Sequence, residues 1–177
     1  MKKSLLGYTV KIKNIDKTRY RSHLNKIIIV CIVALLLGSI GISQMLILLL
    51  SQPDADNFYF NLMGVVLTLV SILMTLSAFK HHPFMTEVYY VWQLKMEINH
   101  INRKLRHVEQ GIESQQHAAF VIMNFFYHAS RQLWTLDDNT ISIDSLTIKE
   151  QQLAGLLAQN NLKVSTDDYK RELLTNY

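Results

Sequence analysis

Two long stretches without a single charge dominate the hydropathy pattern of this chain. Residues 27–50 form an uncharged run of 24 with one strongly polar side chain, Gln44; residues 58–79 form a second of 22, with Asn61 near its start. As helices these measure about 36 and 33 Å at 1.5 Å per residue, enough for a hydrocarbon core of roughly 30 Å. The pattern therefore predicts two transmembrane helices. A cleaved signal peptide would carry a shorter apolar region, about 7–15 residues, and a small-residue cleavage site. The first run is too long and lacks that site.

Beyond the second run the pattern becomes amphipathic. From residue 84 to 109, Val91, Leu94, Ile98, Ile101, Leu105 and Val108 recur at spacings of 3, 4, 3, 4 and 3, the a/d seam of a packed helix. Glu97 and Lys104 fall at g and Lys95 and Glu109 at e, flanking charges compatible with pairing along the seam. Gly111 supplies a stop. A second helix is expected over 114–136, with Ala118, Ile122, Phe125, Ala129, Leu133 and Leu136 on one face. Its apolar centre, 118–129, is 12 residues long, which suits a buried core helix better than a span. Asp137-Asp138-Asn139-Thr140 makes a turn. A third helix over 144–159 buries Leu146, Leu153, Leu156 and Leu157, and Thr166-Asp167-Asp168 opens a short last helix through Leu174. The seam is about two and a half heptads long, where an independent coiled coil usually needs three to four. Coverage within the monomer by the second helix is favoured over dimerisation along it. The expected fold class is an all-α membrane protein, a two-helix transmembrane hairpin plus a small cytosolic helical bundle. Its parts are a basic arm over 1–26, the hairpin over 27–79 and the helical region over 80–177.

Within the hairpin, small residues recur along both runs: Cys31, Ala34, Gly38 and Gly41 in the first, Gly64, Thr68, Ser71, Thr75 and Ala78 in the second. Lipid does not drive helices together by the hydrophobic effect, so close backbone approach at small residues is the usual adhesive. These stripes are expected to face each other, or alternatively to join subunits. Gln44 and Asn61 are placed to hydrogen-bond across the hairpin. Neither run holds an Asp, Glu, Lys, Arg or His, the residues that mark an ion or proton pathway, which argues against transport by one chain.

Charge sets the orientation. Residues 1–26 carry eight Lys and Arg against one acid, Asp16, whereas residues 80–177 are nearly balanced, with ten basic and eleven acidic side chains. Lys17, Arg19, Arg21 and Lys26 precede the first run and Lys80 follows the second; the connector over 51–57 holds Asp54, Asp56 and Pro53 and no cation. Positive charge stays on the cytoplasmic side, so both termini are expected in the cytoplasm. A seven-residue connector holds no folded receptor domain. A confined basic arm is no nucleic-acid-binding face, but it suits anionic headgroups at about 1 kcal/mol per cation. A helix is expected to start at Asp16 and feed into the first span. Charged residues are 18% of the chain and apolar ones 49%, a shortfall of charge against the roughly 25% of soluble domains.

Candidate chemistry is sparse. Cys31 is the one cysteine, which excludes an intramolecular disulfide, a Cys-based zinc site and a redox pair. Glu97-Ile98-Asn99-His100 is a Glu-x-x-His, the element that di-iron bundles use twice together with two further inward Glu. No second copy exists, and the register puts His100 and His107 on the outward, solvated face. Asp137-Asp138-Asn139 opens like a calcium loop, but Ser142 and Ile148 stand where Gly and Glu are required. His81-His82 beside Lys80 reads as an interface anchor, with Pro83 restarting the helix. No nucleophile elbow, phosphate loop or dinucleotide fingerprint occurs. No catalytic, metal or cofactor-binding residue is expected, and no cofactor.

Three stretches carry a family resemblance: Ile15-Asp16-Lys17-Thr18-Arg19-Tyr20-Arg21-Ser22-His23-Leu24-Asn25; His82-Pro83-Phe84-Met85 with Val91-Trp92-Gln93-Leu94-Lys95; and Arg131-Gln132-Leu133-Trp134-Thr135-Leu136-Asp137-Asp138-Asn139-Thr140. They are similar to a family of small bacterial inner-membrane proteins known as a domain of unknown function, over about residues 15–159. That resemblance implies a bacterial cytoplasmic membrane and two spans, and supplies no activity or site residues. The expected role is a membrane-anchored interaction or scaffold protein with an unknown protein partner or a second copy of itself. The alternatives are an oligomeric pore or transport accessory subunit and, third, a membrane-bound enzyme.

Overall fold

A computed structural model describes residues 10–51 and 56–177; the tip of the connector, with Pro53 and Asp54, and the first Lys residues of the arm lie outside the described residues. Every regular element is helical: α1 (Lys17–Leu50), α2 (Phe58–Phe79), α3 (Thr86–Asn102), α4 (Leu105–Glu113), α5 (His117–Leu136) and α6 (Ile141–Gln159), with 3₁₀ turns at Pro83–Met85, Thr166–Asp168 and Arg171–Asn176. No strand occurs among the described residues. The chain forms two compact units. One is the hairpin Asp16–Tyr89; the other is the bundle Tyr90–Tyr177 together with the residues up to Ile15. The division thus falls ten residues beyond the end of α2, and the start of the basic arm belongs to the bundle.

In the hairpin unit, Asp16 caps α1 as expected: its carboxylate accepts from the Thr18 and Arg19 amides at 2.8 and 3.1 Å, satisfying two of the donors a helix start leaves open. The helix then runs unbroken for 34 residues. Both helices are long and apolar enough to cross a membrane, and only 6% and 11% of their most apolar windows are buried. They pack antiparallel, with Gly38 beside Thr68 and Gly64 beside Ser39 and Ser43. A Cβ on Gly64 would overlap the Ser43 hydroxyl and lie 2.8 Å from the Ser39 carbonyl oxygen, so glycine permits this approach.

In the bundle, α5 is the central element. Ala119, Phe120, Val121, Ile122, Met123, Phe125, Tyr127, Ala129, Ser130 and Leu136 are all buried, so it is covered on most of its circumference rather than on the one face expected. It packs back on α4, and long side chains link it to α3, with Lys95 and Asp137 paired at 3.0 Å and Tyr90 donating to Gln132 at 2.9 Å. The expected helix over 84–109 is broken at Arg103-Lys104, where the Lys104 ammonium donates to the Leu174 carbonyl at 2.6 Å.

Gly111 does not stop the chain. It sits inside α4 because a Cβ there would lie 2.8 Å from Tyr177 Cε1 and 3.0 Å from Ala119 Cβ. The stop comes at Gln115, whose φ of 55° lets the Gln116 amide reach the Gly111 carbonyl at 2.9 Å. This is a Schellman cap. Asp138 and Asn161, at φ 57° and 51°, end α5 and α6 the same way, with Asn139 donating to Trp134 and Leu162 to Leu157. Asp137-Asp138-Asn139 is accordingly a helix end. The expected last helix is instead two short 3₁₀ turns separated by extended Tyr169 and Lys170.

Candidate functional site

The bundle's strongest polar cluster surrounds Glu97. The seam places this residue at a flank, as a charge compatible with helix pairing; the structure buries it completely. The cause is the C-terminal segment, which the helical pattern of α3 alone does not reveal. Tyr169 stacks on Phe125 at 4.0 Å and donates to Glu97 Oε1 at 2.7 Å, while the Arg171 guanidinium grips both carboxylate oxygens. Burial, then the hydrogen bond to Glu97 and its charge, push the Tyr169 hydroxyl far above the ordinary tyrosine value, so it stays a donor. Hydrogen bonding to Glu97 raises Arg171 in turn. With its oxygens occupied by these donors, Glu97 is a structural anchor for residues 163–177 and not a free metal ligand. Among the described residues no group of three or more His, Cys, Asp or Glu side chains could hold a metal.

A second polar site holds the N-terminal arm. Tyr90, buried at the start of α3, accepts from the Lys13 amide at 2.8 Å and donates to Gln132 Oε1 at 2.9 Å. The Gln132 amide nitrogen donates to the Lys13 carbonyl. Both backbone groups of one extended residue are thus engaged. Val10 is buried and Lys11 pairs with Asp167 at 3.4 Å. Burial raises the Tyr90 hydroxyl, an effect that its bonds to Lys13 and Gln132 partly offset.

Between α5 and α6 lies a groove of about 340 Å³ whose walls include Tyr127, His128, Leu153, Ala154 and Leu157. At its polar end Arg131 holds Glu150 through Nε at 3.0 Å to each oxygen and Thr147 at 2.8 Å. That pairing raises Arg131 and leaves its guanidinium occupied.

In the hairpin unit, Glu87 at the start of α3 takes Arg19 at 2.9 Å and faces His23 Nδ1 at 3.4 Å, while His23 stacks on Phe84 at 4.1 Å. His82 caps the turn Pro83–Met85 by accepting from the Phe84 amide at 3.2 Å. Arg19 therefore has a structural partner as well as a place in the basic flank.

The sequence matches the family described as protein of unknown function (DUF3087) over residues 10–174. The chain belongs to the DUF3087 family. The match runs past residues 15–159 at both ends and takes in the clamped arm and the Tyr169–Arg171 segment. No curated protein and no solved structure gives a match, so the DUF3087 assignment carries no activity with it.

Within this DUF3087 chain, the positions singled out by spacing divide cleanly. Of the seam, Val91, Leu94, Ile98, Ile101 and Val108 are buried within the single chain, and Leu105, just past the break, is half-buried. Coverage of the seam is therefore intramolecular. Of the small residues, Gly64 and Thr68 are buried at the α1–α2 contact and Gly38 and Cys31 are half-buried; Ala34, Gly41, Ser71, Thr75 and Ala78 are exposed. The face of α2 turned to α1 follows Phe60, Gly64, Thr68, Ile72 and Leu76, all buried or half-buried. This is an i±4 ridge, and the expected 4, 3, 4, 3 stripe leaves it after Thr68. The cross-hairpin hydrogen bond is made by Ser43, which donates to the Asn61 carbonyl at 3.3 Å, while the Gln44 and Asn61 residues themselves are exposed. In α6, Leu146 and Leu153 are buried and Leu157 half-buried, but Leu156 is 39% exposed and points away from the core. Glu97, Tyr90 and Gln132 were not singled out as a site by the pattern. The available signal was an acidic residue adjoining core position Ile98, with Tyr and Arg two residues apart near the C-terminus.

Proposed function

We propose that the protein is a membrane-anchored interaction or scaffold protein of the bacterial inner membrane, acting by binding and not by catalysis. In this reading α1 and α2 cross the bilayer as a hairpin, both termini lie in the cytoplasm, and the bundle meets a protein partner or a second copy. The observation that carries it is the hairpin's outward surface. Leu37, Leu48 and Met74 are among many apolar side chains there at 60% exposure or more, surface that water penalises at about 25 cal/mol per Å² and lipid does not. The bundle, by contrast, has its own closed core and so can act as a module. Along α6, Ile141, Ile148 and Leu156 stay exposed, apolar positions of the kind a partner covers. Lys17, Arg21 and Lys26 at the start of α1 supply the cytoplasmic bias and a surface for anionic headgroups; nucleic acid is not among the proposed partners.

Reporter fusions test the topology. A periplasm-active reporter inserted at Asp56 and a cytoplasm-active one after Tyr177 should both be active. The same compartment for both positions refutes the hairpin and with it the anchored-module reading. A second reading, an oligomer of hairpins acting as a pore or transport accessory subunit, draws on the exposed small residues Ala34, Gly41, Ser71, Thr75 and Ala78. The Ser71 and Thr75 hydroxyls donate to their own helix at 2.8 Å, which favours close helix contact over a wet lining.

A further inference from the structure

Among the described residues, two buried side-chain atoms have no hydrogen-bond partner: Nδ1 of His23, on α1, and Oε2 of Glu87, in the first turn of α3. They lie 3.4 Å apart, within the hairpin unit. A buried acceptor left unpaired forfeits the hydration it gave up. An imidazole nitrogen without a proton cannot serve a carboxylate oxygen, because both are acceptors. A proton on Nδ1 satisfies both atoms at once. We propose that His23 is a proton-operated clasp at the open end of the hairpin. As imidazolium it donates from Nδ1 to Glu87 Oε2 and, with Arg19 at 2.9 Å from the other oxygen, ties the first turns of α1 to the start of α3.

The surroundings favour the charged ring. Phe84 stacks on it at 4.1 Å, inside the roughly 6 Å over which an aromatic face attracts a cation. His23 and Glu87 keep only 16% and 11% of their side-chain surface exposed, so salt screens their pairing little. Arg19 is 57% exposed, and its pairing alone holds weakly. A neutral ring with its proton on Nδ1 makes the same bond at about half the strength.

Three elements present groups to this pair. Arg19 on α1 shares the carboxylate, Glu87 on α3 supplies it, and the turn Pro83–Met85 contributes the uncharged Phe84 ring. His82 holds that turn, its Nδ1 accepting from the Phe84 amide at 3.2 Å, so protonation of His82 removes a bond and opposes the clasp. Imidazole is the side chain that changes charge between about pH 5 and 8. The gain belongs to the protonated form of His23, so the clasp is complete at the acid end of that range and loosens as pH rises. Beyond any anchoring role, proton concentration thereby sets how firmly the two ends of the hairpin are held.

The test uses the full chain in detergent between about pH 5.5 and about pH 8. In protein carrying ¹⁵N-labelled histidine, His23→Phe identifies the His23 ring signals. Nδ1 of His23 should hold its proton at both ends of the range and Nε2 only toward the acid end. A bare Nδ1, or a ring whose charge never changes, overturns the clasp. Parent, His23→Phe, Glu87→Gln and the double variant are then unfolded by heat, with Cys31 exposure as the measure; phenylalanine keeps a ring against Phe84. The coupling between positions 23 and 87 should favour folding about ten-fold at the acid end and about three-fold at the alkaline end. The pH responses of His81, His82 and the thiol reagent are common to all four proteins and cancel. Coupling that is absent at the acid end, or equal at both, overturns the proposal. If a variant fails to fold, the ring signals of the parent still decide.

Discussion

Replacing Arg171 with Met leaves the Glu97 carboxylate buried with a single remaining donor, Tyr169. Glu97 has no solvent-exposed side-chain surface, and Arg171 keeps 24% of its own. Breaking a buried ion pair by removing one partner costs about 3–5 kcal/mol, because the survivor has lost water and gained nothing. The partial exposure of Arg171 and the retained Tyr169 bond place this case at the lower end, about 3 kcal/mol. Tyr169→Phe removes one hydrogen bond to a charged acceptor and should cost about 2 kcal/mol. The double variant Glu97→Met with Arg171→Met leaves no orphaned charge and should lie within about 1 kcal/mol of the parent. Near the melting temperature, 1 kcal/mol corresponds to about 4–8 °C for a unit of this size. Arg171→Met should therefore melt at least about 12 °C lower and the double variant close to the parent. Both tryptophans, Trp92 and Trp134, lie in the bundle, so their emission in detergent follows this unit and ignores the hairpin. If Arg171→Met and the parent melt together, or the double variant is the worst of the set, Glu97 is not a buried, compensated charge.

Two further outcomes follow from the same physics. Gly64→Ala should destabilise the hairpin by about 1–3 kcal/mol, since the new methyl meets the Ser39 and Ser43 backbone at 2.8 and 2.9 Å, whereas Gly41→Ala, with nothing within 4 Å, should be neutral or gain about 0.5–1 kcal/mol of helix propensity; thermal exposure of the sole thiol, Cys31, reads both, and equal behaviour would place α1 and α2 in another register. The Tyr169 contribution to bundle stability is full below the ordinary tyrosine value of 10.0 and should be lost as pH rises above it, because folded Tyr169 holds its proton where the unfolded chain has lost it; Tyr90, Tyr127 and Tyr177 act in the same direction, and Tyr169→Phe should make the fall in melting temperature above that value shallower.

The sequence by itself determined every feature that depends on composition or on one helix's period. Two uncharged runs longer than 20 residues specify α1 and α2 because no other element buries or tolerates so much apolar surface. Asp16 names the start of α1, and the 3, 4 spacing from Val91 to Val108 names the core face of α3 and α4. Which residues meet across helices was decided only by tertiary structure. The 4, 3, 4, 3 row and the 4, 4, 4, 4 row on α2 share Gly64 and Thr68, and only the crossing of α1 over α2 selects the second. Gly111 carries the signature of a stop, yet it serves a close contact with Tyr177, 66 positions later, and Gln115 takes the left-handed turn instead. Glu97 shows the limit most sharply. A charge at a seam flank is solvated when the helix is considered alone, and becomes a core residue once Tyr169 and Arg171, more than 70 positions away, fold over it. Such pairings leave no periodic trace, because the energy that fixes them comes from desolvating groups far apart in the chain, and that desolvation exists only in the folded state.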